Sequence, residues 1–357
     1  MNDRVESKRF IRHLHAFRGF AILTIVAQHA WDGQVWRVRN SEPSLGVSVL
    51  NAVSQTLFHD STLYFALISG LLFTLVLQPR GWTSFFKSKL LNVVSPYIVM
   101  TLVFTAYGLN ADYELAGFFQ GNMTDYLMAV AANLLSGRAI YPLWYIPILI
   151  MLYLSTPFLV RVMADARTSW VIWPIMLAPL IVPRATWPDF SWTTPVYFLG
   201  AYAAGMFVGA RYESALLLFR QYRNLLLLAV FLTTPVLIAS FLLEVDRFGP
   251  VSMRETLWYV QKLAIAAVVL VALHAREARL PRWILTLGNY AFSIYFLHAI
   301  LIVVFEEVEF QLADAFSVWA LLAAGAGSYV FAIAVSVVLS AVAKRTLGAR
   351  SRLLLGA

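Results

Sequence analysis

The chain has 357 residues, 60% of them hydrophobic and 13% charged, with a net charge of +8 and a mean hydropathy of +0.72. A soluble domain is nearer half apolar and a quarter charged. Here the apolar excess runs the whole length, which excludes a soluble protein and points to an integral membrane one. There is no cysteine, so disulfides, thiolate metal sites, palmitoyl anchors and cysteine-bound acyl intermediates are excluded too.

Ten apolar segments are long enough for a hydrocarbon core of ~30 Å at 1.5 Å per residue. They are 16–33, 58–77, 93–108, 140–160, 170–183, 193–210, 224–243, 255–273, 283–304 and 316–343, the fifth being short. They predict an all-α membrane protein, a single embedded domain over 1–357 built as a bundle of about ten transmembrane helices. The first segment has the basic start of a signal peptide, but it runs past signal length and no A-x-A site follows, so it is kept as a helix. With the N-terminus inside, the cytoplasmic segments carry 19 basic residues and the outer loops six. That asymmetry places both termini in the cytoplasm and makes the positive charge a topology signal rather than a nucleic-acid footprint.

Two outer connections are long. Residues 34–57 are expected to hold an interfacial helix or a solvated connector; residues 109–139, with Asp112, Glu114 and Asp125, read as a functional loop or a plain one. Pro147, Pro174, Pro179, Pro195 and Pro235 fall inside or at the ends of spans, where freed carbonyls need neighbours or water, so an internal cavity is expected. Gly205 and Gly209, with Gly200 just before, have small-xxx-small spacing, which close helix packing explains.

The first span, "RHLHAFRGFAILTIVAQHAW", holds Arg18 near its cytosolic end and His29 near its far end. A charge at mid-membrane costs at least ~2.5–3.5 kcal/mol, which makes such residues functional candidates. Taken singly, Arg18 also reads as snorkelling to headgroups and His29 as an interfacial histidine. Taken together they say more. Eleven helical steps come to within ~20° of three full turns, so both project from one face, Ile22 and Ile25 between them, about 16 Å apart along the axis. They are too far apart to bond each other, but they suit the two ends of one elongated ligand. A guanidinium fork matches phosphate, and an imidazole moves a proton near neutral pH.

"FRGFAILTIVAQH" resembles the signature of the acyltransferase 3 family of membrane proteins, an arginine followed after ten residues by a histidine. The resemblance continues in order through "LYFALISGLLF" with Ser69-Gly70, "FFKSKLLNVVSPY", "LWYIPILIMLYLSTPFL" with Trp144 and Tyr145, and "GNYAFSIYFLHAILI" ending in His298. Departures from the family's pattern are His15 for an acidic residue, Val93 for a basic one three before Pro96, and Leu71 for phenylalanine; no appended hydrolase-like domain is expected. The resemblance implies transfer of an acyl group, acetyl above all, from cytoplasmic acyl-coenzyme A (acetyl-CoA) to a hydroxyl of an extracytoplasmic glycan or lipid-linked sugar, in a bacterial inner (plasma) membrane. No cofactor is expected to be permanently bound. Partners are the acyl-CoA donor, a carbohydrate or glycolipid acceptor and membrane lipids, with no nucleic acid.

On that reading Arg18 holds a donor phosphate and His29 is the catalytic base, directly or through an acyl-histidine. Ser69 lines the cavity or packs a helix crossing. Trp144 and Tyr145 stack on sugar or sit at the membrane interface. His298 is catalytic or structural, with a partner inside the bundle. Glu306, Glu307 and Glu309 read as a solvated acidic cluster. No metal site is expected, because the six histidines are scattered and no His-x-x-x-His or Glu-x-x-His pair occurs. Two rival readings stand: a transporter or flippase of lipid-linked sugars, which explains broken helices but normally shows inverted repeats, and an intramembrane serine protease using Ser69 and His298.

Overall fold

A computed structural model of the protein describes residues 3–39, 44–107, 122–185, 191–310 and 317–357. Apart from one small hairpin, the elements are helices: α1 (Asp3–Arg39), α2 (Leu45–Phe58), α3 (Thr62–Leu72), α4 (Trp82–Lys89), α5 (Ser95–Tyr107), α6 (Met123–Ser136), α7 (Tyr145–Ala164) and α8 (Ile172–Leu177). The second half holds α9 (Thr193–Ala210), α10 (Tyr212–Gln221), α11 (Arg223–Leu242), α12 (Met253–Ala275), α13 (Arg282–Asn289), α14 (Ala291–Phe310), α15 (Val318–Leu347) and α16 (Ser351–Leu355). Strands β1 (Arg247–Phe248) and β2 (Val251–Ser252) pair antiparallel ahead of α12.

Among the described residues, 7 helical stretches are long and apolar enough to cross a membrane. The expected spans 16–33 and 193–210 lie in α1 and α9 and fall outside that set: α1 carries charged groups, and α9 is diluted by glycine, alanine and tyrosine. The segment 170–183 is one short apolar stretch, Ser169–Leu180, made of α8 between two 3-10 turns, with Pro174 in the first turn of α8 and Pro179 in the last turn. This is an all-α membrane protein.

In their described residues the two long connections are largely helical. α1 runs on to Arg39, and α2 folds back along it, with Val35, Val38, Val47, Leu50 and Leu321 making a small core outside the main one. Asn122 caps α6, which takes up Asp125 in its first turn; Asp112 and Glu114 lie outside the described residues. Pro147 and Pro195 sit in first turns, where proline costs no hydrogen bond. Pro157 and Pro235 are interior. Further bends come from wide π-helical turns at Phe73–Leu77 and Leu90–Val94, which no residue type announces.

Two backbone crossings fix the bundle. A Cβ on Gly70 would stand 2.1 Å from the Tyr202 carbonyl oxygen and one on Gly205 2.0 Å from that of Leu67, so α3 and α9 touch backbone to backbone. The same holds for α1 and α13, where a Cβ on Gly288 would meet the His15 carbonyl at 1.9 Å. His13 contacts both Tyr212 and His274, which brings the first third of α1, the start of α10 and the finish of α12 to one end of the bundle. Arg12, Arg211 and Arg276 adjoin these contacts in sequence, so that end is basic.

Candidate active site

Helix α14 and the 141–164 segment, which opens with Tyr141 and continues as α7, reach α1 at two depths. Towards the basic end, the Arg18 guanidinium lies 5.6 Å from the Phe292 ring of α14 and within electrostatic reach of Tyr153 on α7. Towards the other end, the His29 ring centroid is 5.3 Å from that of His298 on α14 and 4.8 Å from that of Tyr141, just ahead of α7. Arg18 and His29 therefore share one interior face. Between them Ile22 and Ile25 are fully packed.

Around Arg18 the structure gathers Lys89, His15 and Ser69. The Lys89 ammonium sits 4.3 Å from the Tyr153 ring centroid, within electrostatic reach of Arg18. The π-helical turn that starts at Leu90 widens the helix immediately after it. His15 lies beside Arg18 one turn earlier, and Ser69 faces the Tyr153 hydroxyl. Two cations without a carboxylate among these neighbours make a pocket suited to an anion. In the sequence Lys89 counts only among the cytoplasmic basic residues; its place one turn before Val93, the departure from the family's basic position, is the available signal.

At the far end, neither ring nitrogen of His29 makes a hydrogen bond among the described residues, and the ring keeps some exposure. His298 is fully buried; its Nδ1 is 3.0 Å from the Ile294 carbonyl, which can only accept. The proton is therefore on Nδ1, and Nε2, with no hydrogen bond of its own, offers a lone pair inside the bundle. No hydrogen bond joins Ser69 to His298, which removes the geometric basis of the serine-protease reading. Trp144 is half-buried under the Arg184 guanidinium, 5.6 Å from its ring, whereas Tyr145 is buried against Trp144 and Phe198 and is a wall rather than a platform.

A buried polar network borders His29. Between α2 and α3 the chain turns at Asp60, whose φ of 57° lies in the left-handed region that aspartate tolerates better than most residues. Lys262, wholly buried on α12, donates to the freed carbonyls of Leu57 (2.7 Å) and Thr56 (3.3 Å), a cation at a helix C-terminus. Arg184 Nε lies 2.8 Å from Asp60 Oδ1 and 3.4 Å from Glu255 Oε1, and the Tyr197 hydroxyl donates to Asp60 Oδ2 at 2.9 Å. The Arg184 guanidinium also donates to His59 Nε2, and the Gln28 amide nitrogen lies 3.2 Å from His59 Nδ1. Gln55 donates to Asp32 at 2.6 Å, one turn beyond Gln28. The neighbour of His29 in the chain is thus tied to a wholly buried carboxylate.

Glu306 is buried against Gly33 of α1, not part of a solvated cluster as expected; Glu307 is exposed, and the Glu309 side chain lies outside the described residues. Asp60, Arg184 and Lys262 escaped sequence reading, although Lys262 and Arg18 are the two basic residues that fall inside predicted spans.

A family model described as an acyltransferase domain matches residues 11–341. No curated protein and no solved structure matches the chain. With nearly its whole length covered by that model, and with an arginine and a histidine eleven positions apart on one interior helix face, the chain belongs to the acyltransferase 3 family of membrane acyltransferases.

Proposed function

We propose that this protein is a membrane O-acyltransferase that moves an acyl group, acetyl being the simplest, from cytoplasmic acyl-CoA to a hydroxyl of a glycan or lipid-linked sugar on the outer side of a bacterial inner membrane. The observation that carries the reading is that Arg18 at one depth and His29 at another both face α14 and the 141–164 segment that includes α7. Arg18 and Lys89 hold coenzyme phosphates at the basic end. The pantetheine arm, largely uncharged, follows the apolar strip of Ile22 and Ile25, whose neighbours must part to admit it.

At the thioester, a lone pair on His29 takes the acceptor's hydroxyl proton as its oxygen attacks the carbonyl carbon. The tetrahedral intermediate collapses with cleavage of the carbon–sulfur bond, and the imidazolium returns the proton to the leaving thiolate, giving an ester and free coenzyme A. Tyr141, packed on His29, is the candidate donor to the oxyanion. Trp144 is the aromatic surface left for a sugar ring.

The test uses purified protein with acetyl-CoA labelled in the acetyl group and a lipid-linked or soluble glycan acceptor. Release of coenzyme A thiol together with label in the acceptor is expected. A protein that moves lipid-linked sugar across vesicles without consuming thioester would instead meet the transporter reading.

A further inference from the structure

We propose that His13, His274 and Glu277 form a binding site for one divalent transition-metal ion, zinc by its donor set, at the basic end of the bundle. The site is separate from the acyl-transfer chemistry. His13 comes from the start of α1, His274 from the last turn of α12 and Glu277 from the single turn that follows. The last two are spaced His-x-x-Glu, the reverse of the pattern sought in the sequence, and three residues on a helix share a face.

One ligand atom from each residue lies within 4.8 Å of the other two. His13 Nδ1 and Glu277 Oε1 are 3.2 Å apart, and the two imidazole rings meet edge-on at 90° with centroids 5.0 Å apart. Ligands at zinc bond lengths of about 2.0–2.2 Å in a tetrahedron stand about 3.3–3.6 Å from one another, so small side-chain rotations complete the site. His274 Nδ1 and Glu277 Oε1 are buried with no hydrogen bond among the described residues. The other ring nitrogen of His13 is 2.7 Å from the Tyr212 hydroxyl, the outer contact that ligating histidines normally make.

The cluster His59, Asp60 and Glu255 is equally tight, but there the Arg184 guanidinium already supplies the positive charge. Around Glu277 the ion-pair partner is His13 alone among the described residues. A metal ion here ties α1 to α12 five residues before Arg18.

The experiment takes full-length, tag-free protein stripped with chelator and adds ZnCl2 or CoCl2. We expect about one ion per chain after dialysis, a visible Co2+ absorption of tetrahedral intensity, and a Tm higher by a few degrees in zinc. His274→Ala and Glu277→Ala, both at partly exposed residues that the fold tolerates, should each weaken Co2+ affinity by more than about tenfold while leaving the metal-free Tm near that of the wild type. Metal content equal to that of the His274→Ala/Glu277→Ala double variant, or a zinc-insensitive Tm, overturns the site. So does unchanged Co2+ affinity in His274→Ala, which would leave a plain His13–Glu277 ion pair.

Discussion

Buried imidazoles usually spend their nitrogens on hydrogen bonds, because an unpaired polar atom inside a protein costs about 1–3 kcal/mol. His29 makes none among the described residues, and it faces His298, whose Nε2 lone pair is likewise unspent. On the proposed reading His29 takes the proton and His298 orients it. His29→Ala should lower turnover about 10²–10⁴-fold with Tm unchanged. His298→Gln, which keeps an acceptor, should lose less than His298→Ala and shift the pH–rate profile, which a purely packing role would not move. At the other depth, Arg18→Lys and Lys89→Ala should raise KM for acyl-CoA with little change in kcat, since these cations meet phosphate and not the reacting carbon. Titration with coenzyme A alone checks this; unchanged affinity in both variants contradicts it. Arg18 and His29 were legible in the sequence because helical periodicity encodes their shared face. Which imidazole His29 would meet was not legible, since 269 residues separate the two.

The element that shapes the outer end is the broken helix pair α2–α3. Its turn at Asp60 has no glycine or proline to announce it; a lysine and an arginine from distant segments hold it open. Sequence periodicity reports which face of a helix is apolar, but says nothing of partners from α12 or from the 181–185 segment. The small-residue spacing of Gly205 and Gly209 could be read directly, because it is local, whereas the Gly70 they cross and the place of Lys89 beside Arg18 depend on distant segments. Arg184 is the keystone of the turn. Arg184→Gln should destabilise the protein by about 3–5 kcal/mol, leaving two buried carboxylates facing each other without a counter-charge. Adding Asp60→Asn should recover part of that loss, since the repulsion then goes too. Additive losses in thermal unfolding would show that Arg184 and Asp60 act independently.

For the whole molecule, the two depths of α1 define a direction. The basic end carries Arg18 and Lys89, and the opposite end carries His29, His298 and the aromatic residues Tyr141 and Trp144. Ile22 and Ile25 close the strip between. On the proposed reading donor and acceptor approach from opposite faces of this packed strip. The most direct measurement reconstitutes the protein in sealed vesicles, fixes its orientation by protease access to the basic loops, and supplies labelled acetyl-CoA on the basic side with the glycan acceptor on the other. Label should appear in the acceptor with wild-type protein and not with His29→Ala. Equal labelling by His29→Ala, or labelling only when both substrates share one side, would contradict the account.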